Sequence, residues 1–375
     1  MGDERTVTPS VSLGTGYNDN ILFTENDRKG SFYTVFSPAV QLRQRNERGE
    51  VNAKGKFDSY TYAERSEFNS VDPEVSADGK YALTPLVSVN ASGLYKTDSQ
   101  PNSTLTTTGL VSNNTKSEKN QEVFGLDWAL SEKTTVGGQA TFGKTRYENN
   151  AYSDNTVQSY GLVFKSNLDK LIHETTGLIN LNYSIYDYNV SRSNYTTASF
   201  GFTRNLNEKY NITAWAGPSL IDTEYKFAPY QATQQWGATA HCSLDGTLEK
   251  STVNLSFTYD LEPDSLSNTS VKRMALEGSY LRKVTSEISL GITASYFNNK
   301  SAGKENILVN SLDEDTYNIS PRLLYQITDD WGLETNYRFS RIESYITDGS
   351  RTQNCVFIQL NWGHSINKSD LSHAL

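Results

Sequence analysis

Apolar and polar residues alternate one for one through segment after segment of this chain. In Val253-Asn254-Leu255-Ser256-Phe257-Thr258-Tyr259 the odd positions are apolar and the even ones small and polar. The same period runs through Ile288–Tyr296, Leu86–Ser92 and Val356–Trp362, the last with one aromatic out of step. Successive side chains of a strand point to opposite faces, so each segment has one oily face and one wet face. A β-sandwich gives the same pattern. The length, number and spacing of the segments favour a membrane barrel instead.

Alternating segments fall near 6–18, 33–46, 50–63, 70–83, 85–97, 120–131, 133–148, 156–168, 174–188, 195–206, 209–225, 233–246, 250–261, 271–283, 285–298, 315–327, 330–345 and 352–364. They make about 18 strands, an even number as in bacterial barrels. Each exceeds the roughly 5–6 residues of a typical globular strand and reaches the roughly 9–11 that a tilted strand needs to cross a bilayer. Short connections at 46–49, 131–133, 207–209, 245–246, 283–285 and 328–330 alternate with long ones. The long set is 18–32, 98–119, 148–155, 189–194, 226–232, 262–270, 299–314 and 346–351. Outer-membrane barrels have short periplasmic turns and longer external loops. The pattern therefore predicts an all-β fold: a transmembrane antiparallel up-and-down β-barrel. It forms one domain over 1–375, with strands from about 6 to 364, a short tail at 365–375 and both termini periplasmic.

Aromatics mark both ends of the segments. Tyr17, Tyr62, Tyr95, Tyr147, Tyr186, Tyr225, Tyr259, Tyr296 and Tyr345 lie near the long loops. Tyr81, Trp128, Phe164, Phe202, Tyr210, Tyr280, Tyr325, Trp331 and Trp362 lie near the short turns. Two belts of this kind suit the two interfaces of a bilayer.

Composition agrees once the barrel is considered. Mean hydropathy is -0.58 and hydrophobic residues are 36%, which alone would suggest a soluble chain. A barrel averages the same way, because half of each strand faces water. No run of about 18 apolar residues forms a membrane helix. Net charge is -9, which argues against nucleic acid as a partner. Met1-Gly2-Asp3-Glu4 is polar and acidic, so the chain reads as a mature form without its export signal.

Parity assigns the two faces. Val11, Leu13, Val40, Leu42, Val87, Val89, Leu126, Leu162, Phe200, Leu255, Phe257, Leu290, Ile292, Ile319, Leu323, Leu333 and Leu360 fall on the lipid side. The lumen side carries Arg43, Arg45, Lys54 and Lys56 beside Asp72, Glu74 and Asp78, and a second mixed cluster of Arg273, Glu277, Arg322, Glu334 and Arg338. These twelve are the expected pore-lining residues. A basic ladder beside an acidic one either sets a field across a pore or braces the wall through salt bridges. Cys242 falls on the lipid side and Cys355 on the lumen side, so no disulfide is expected, and a water-soluble thiol reagent should prefer Cys355. Loop 98–119, rich in Ser, Thr and Asn, suits either a wet constriction or an exposed loop.

Catalytic chemistry is not indicated. His173, His241, His364 and His373 are scattered without metal-ligand spacing, and no phosphate loop stands between a strand and a helix. No enzyme activity, metal or cofactor is expected.

The opening of the chain carries a resemblance. Val7-Thr8-Pro9-Ser10-Val11, Tyr17-Asn18-Asp19-Asn20-Ile21 and Ser37-Pro38-Ala39-Val40 are similar to the start of a bacterial outer-membrane β-barrel porin family found in exopolysaccharide gene clusters. The resemblance covers about the first 45 residues and implies an outer-membrane, Gram-negative setting with exopolysaccharide export as its context. Expected partners are outer-membrane lipid and lipopolysaccharide, and a polysaccharide or periplasmic export proteins. Tyr60, Tyr62, Tyr186 and Trp215 are candidates for sugar stacking on lumen parity. The alternative is a barrel sleeve around a multihaem cytochrome; the chain has no Cys-x-x-Cys-His, so haem would belong to the partner.

The first prediction follows from strand length and belts. In detergent the protein should give sheet-dominated circular dichroism and migrate differently on gels when boiled and unboiled. Monodisperse solubility without detergent would overturn the membrane reading.

Overall fold

The computed structural model describes residues 4–100, 104–111, 116–149, 152–227, 232–264, 269–301 and 312–363, except the side chains of 262–264, 269 and 270. Six strands open the chain: β1 (Glu4–Asn18), β2 (Ser31–Arg45), β3 (Gly49–Tyr62), β4 (Ser70–Ala82), β5 (Val87–Asp98) and β6 (Ser117–Ser131). Six follow: β7 (Thr134–Tyr147), β8 (Asn155–Asn167), β9 (Thr175–Tyr188), β10 (Ser191–Asn207), β11 (Tyr210–Tyr225) and β12 (Thr233–Thr247). The last six are β13 (Ser251–Asp264), β14 (Thr269–Lys283), β15 (Ile288–Ser301), β16 (Asp313–Gln326), β17 (Trp331–Ser344) and β18 (Gly349–Trp362).

Each strand pairs antiparallel with the next, and β1 pairs with both β2 and β18, which closes an 18-stranded sheet on itself. The expected up-and-down barrel is observed, with strand ends shifted by a few residues from the sequence reading. Several short turns are set by one polar side chain. The Asn46 carboxamide oxygen accepts from the backbone of Arg48 and Gly49, and that of Asn207 accepts from Lys209 and Tyr210. Thr328 does the same for Asp330 and Trp331. Such side chains satisfy the backbone groups a tight turn frees.

The alternation of loop lengths has exceptions. Strand β10 starts at Ser191, so β9 and β10 are joined by residues 189–190 alone, where the sequence predicted a long loop at 189–194. At the opposite end, residues 168–174 form a longer connection than most on that side. The stretch Ser191-Arg192-Ser193-Asn194 is polar on both faces, which hides a strand from hydrophobic periodicity. It still pairs in full register with β9 and β11, and Ser193 Oγ lies 2.9 Å from Thr223 Oγ1.

Register and exposure give the same two faces. Val7, Phe200 and Trp236 on the outside are 64%, 61% and 70% exposed. A hydrocarbon solvent removes the cost of leaving such side chains open. The short-turn belt stands: Trp128, Phe164, Tyr280, Trp331 and Trp362 are all exposed outward. At the long-loop end Tyr62, Tyr147, Tyr186 and Tyr225 have inward parity and belong to the lumen instead. The outer belt there is made by Tyr17, Phe32, Tyr95, Tyr183, Tyr317, Tyr337 and Tyr345.

Buried apolar clusters gather at the long-loop end. They are Ile21, Tyr62 and Phe68; Phe23, Leu105 and Ile342; and Tyr195, Ile221 and Leu261. Two inward glycines make room beside the first cluster. A Cβ on Gly14 would overlap the Phe357 ring, and one on Gly16 would crowd Tyr33. Tyr33 stacks on Phe357 with centroids 5.9 Å apart.

Both cysteines are free, with Cys242 exposed outward. Cys355 faces inward but is buried, 3.2 Å from the Tyr33 hydroxyl. Burial corrects the expected preference of a water-soluble reagent for Cys355. An apolar maleimide should label Cys242 in the folded barrel, and Cys355 should react only after unfolding. Fast labelling of Cys355 in the native barrel would show that the β1–β2–β18 wall is looser than drawn.

Candidate functional site: a charged wall and a strap across the lumen

Inward side chains on β2–β6 form transverse rows fixed by strand register. Lys56 stands opposite Glu74, which stands opposite Lys96. One step toward the long loops, Asp58 stands opposite Asp72, and Asp98 follows on β5. The rows close on each other: Lys56 Nζ lies 3.2 Å from Asp58 and 3.5 Å from Glu74, and Lys96 Nζ lies 2.9 Å from Asp98. Toward the short turns, Arg43 pairs with Glu50 at 2.9 Å and Arg45 approaches the same carboxylate at 3.9 Å. Asp78 accepts from Asn52 at 3.0 Å, and Lys54 sits between Gln41 and Ser76.

The sequence-predicted ladders are thus brought together only in part. Of Arg43, Arg45, Lys54, Lys56 against Asp72, Glu74, Asp78, Lys56 and Glu74 form the ion pair. The arginines use Glu50, which hydrophobic parity alone did not single out. Inward basic residues on β2–β6 are Arg43, Arg45, Lys54, Lys56, Lys80, Lys96 and Lys119. Inward acids there are Glu50, Asp58, Asp72, Glu74, Asp78, Asp98 and Asp127, so the wall is close to neutral.

The second cluster is more dispersed. Arg273 donates from Nε to Asn299 Oδ1 at 2.8 Å. Glu277 lies opposite Ser256 and Ser295. Arg322 and Glu334 stand diagonally across β16 and β17, and Arg338 lies opposite Cys355. The inner wall of β10–β15 is largely hydroxyl and amide: Thr203, Thr213, Ser243, Ser256, Ser279 and Ser295 share inward parity. Trp215 stacks on His241 with centroids 5.4 Å apart. His173 lies in the 168–174 connection, and His364, His373 and the 365–375 tail lie outside the described residues. No group of His, Cys, Asp or Glu among the described residues has a metal-binding arrangement.

The third long loop turns inward. Its segment Thr104–Val111 carries one helical turn, α1 (Leu105–Thr108), ended by Gly109 at φ 71°. Only glycine adopts that conformation without strain, and a Cβ there would also strike Phe297. The loop leaves from β5 and β6, yet the segment seats on β15–β17, on the other side of the eighteen-strand ring. Asn299 Nδ2 donates to the Thr108 carbonyl at 2.9 Å, Thr316 Oγ1 to Gly109 at 2.6 Å, and Asn318 Nδ2 to Leu105 at 3.4 Å. Leu105 is fully buried against Phe23 of the first loop and Ile342 of β17. A strap therefore crosses the lumen at the long-loop end.

A closed antiparallel barrel with an apolar exterior and a polar interior defines the class: an outer-membrane β-barrel. Residues 4–161 match the family described as "Putative beta-barrel porin 2", as the opening motifs implied. No curated protein matches the chain. Among solved structures, the FrpB iron transporter from Neisseria meningitidis (F3-3 variant) superposes with TM-score 0.50 at 8% identity over 90% of this chain. The chain spans 62% of that protein's length. The ferric citrate transporter FecA gives TM-score 0.50 at 7% identity, covering 95% of this chain and 78% of that one. OpdK from Pseudomonas aeruginosa gives 0.49 at 10% identity, covering 95% and 98%. The likenesses to FrpB and FecA show the fold alone.

The ion-pair rows carry a stability prediction. Lys56→Met should destabilise the barrel by about 1–3 kcal/mol, because it strands Asp58 and Glu74 beside Asp72. Adding Glu74→Gln and Asp58→Asn should recover most of the loss. Heat-modified gel mobility against temperature measures both, and an unchanged midpoint for Lys56→Met would show that the row is solvated and idle.

Proposed function

We propose that the protein is an outer-membrane channel of a Gram-negative bacterium, passing hydrophilic solutes through its lumen. The observation that carries the reading is the division of faces: every strand turns apolar residues to lipid and small polar or charged ones inward. Barrels of about 16–18 strands leave an aqueous interior. The long loops face the exterior and both termini the periplasm. Outward charges such as Lys144, Arg146 and Arg192 lie near the long-loop end, where lipopolysaccharide headgroups would meet them.

An exported polysaccharide is the cargo we favour. The largely hydroxyl and amide wall of β10–β15 and the inward Tyr60, Tyr62, Tyr186 and Trp215 support it, since sugars bind through hydroxyl hydrogen bonds and aromatic faces. We do not carry forward the cytochrome sleeve: a strap seated across the lumen takes room a protein occupant would need. The twelve charged residues act as pore-lining groups on this reading, with no catalytic role.

Planar-bilayer recording tests the proposal. The wild type should conduct with weak ion selectivity, because basic and acidic groups on β2–β6 balance. Replacing Arg43, Arg45, Lys54 and Lys56 by Gln should shift selectivity toward cations. Unaltered selectivity with lowered thermal stability would leave the ladders as wall bracing only. No measurable current would count against the channel itself.

A further inference from the structure

The wall beneath the strap and the first loop has a hydrogen-bonding pattern that these two segments satisfy only by half. Asn318, Ser340 and Gln353 lie in one transverse row across β16, β17 and β18. All three are nine-tenths or more buried. The Asn318 amide donates to Leu105 of the strap and to Ser295 Oγ. The Gln353 amide donates to the Asn20 carbonyl of the first loop at 2.7 Å. Among the described residues, Asn318 Oδ1, Gln353 Oε1 and Ser340 Oγ have no hydrogen-bond partner. The neighbouring Arg338 Nε has none either.

This imbalance has a simple cause. A backbone carbonyl only accepts, so it answers the N–H half of a carboxamide and leaves the C=O half bare. Buried acceptors in that state weigh against the seated strap. A pair of neighbouring hydroxyls answers both halves, because each hydroxyl donates and accepts. The row continues from Asn318 through Ser295 and Glu277 to Ser256 and Ser243, with Glu277 the charged group on that path. Adjacent strands are spaced by roughly 4.8 Å, close to the length one pyranose unit adds to a chain.

Resting on the channel reading above, we infer that the Asn318–Ser340–Gln353 row is a binding subsite for a polyhydroxylated solute, and that the Leu105–Leu110 segment at Asn318 and the first loop's Asn20 at Gln353 occupy it as internal stand-ins. Solute and strap compete for one wall. The strap's apolar anchor, Leu105 against Phe23 and Ile342, holds the closed state. The bare acceptors beneath it keep that state reversible. Entry of a solute able to pair with both halves of the carboxamides displaces the strap and opens the lumen.

The test uses the full barrel in planar bilayers with maltohexaose as probe and a polyethylene glycol of similar size as control. A Leu105→Cys/Ile342→Cys pair, made with Cys242→Ser and Cys355→Ser, tethers the strap when oxidised and frees it when reduced. Reduction should raise the current severalfold. In the reduced channel maltohexaose should raise the current at about tenfold lower concentration than the polyether. Asn318→Leu with Gln353→Leu should lose that preference, both probes then acting at similar concentration. An equal response to both probes, in this variant background or the wild type, overturns the subsite while the current sustains the channel reading. A current indifferent to reduction overturns the competition. No current in any state removes both.

Discussion

Everything in this barrel depends on one constraint: in hydrocarbon, each backbone N–H and C=O must find its partner within the protein. An open sheet would leave two edges bare, at a cost of several kcal/mol per unpaired group. Pairing of β1 with β18 removes those edges. Closure then fixes the rest. Once the ring is complete, the two-residue period sorts every side chain into lipid or lumen. Register decides which inward residues stand opposite one another, and side-chain reach adds the diagonal contacts. Lys56 meets Glu74 directly across, while Arg43, opposite Asn52, reaches diagonally to Glu50.

The consequence for energetics is unusual. A sheet one layer thick has no continuous core, and its exterior residues are solvated by lipid rather than packed. Buried apolar contacts therefore gather mainly where a loop folds back inside, the strand-borne Tyr195, Ile221 and Leu261 cluster being the exception. Phe23 and Ile21 of the first loop, Phe68 of the second and Leu105 of the third supply them. The long-loop end is thus the most globular part of the molecule, and the short-turn end is held by ladders and side-chain-capped turns alone.

Much of the architecture was legible in the sequence, because a period of two survives any loop length. Strand number, faces and the closed fold all follow from it. Partner choice does not, since it depends on turn geometry through the register: nothing in the alternation of β3 marks Glu50 as the mate of Arg43. The start of β10 was hidden because Ser191-Arg192-Ser193-Asn194 is polar on both faces. The inward course of the third loop was ambiguous for a similar reason. Its Thr and Ser content reads as an exposed loop. The signal that it folds inward was small: Leu105, Gly109, Leu110 and Val111, apolar residues around a turn glycine within a polar run.

The same physics separates a plug from a gate. A permanent plug would be expected to bury matched surfaces, since any bare polar group beneath it is a standing penalty. Here the contact is matched on one side, through Leu105, Phe23 and Ile342, and mismatched on the other, through Asn318, Ser340 and Gln353. The Asn318 amide is used by a strap carbonyl and the Gln353 amide by a first-loop carbonyl, while the acceptors of both are left bare. Such a surface is better suited to a ligand that both gives and takes hydrogen bonds than to the peptide now covering it. On the proposed reading, a strap of this kind would close the lumen without being its best occupant, which is the thermodynamic requirement for a channel that its own cargo can open.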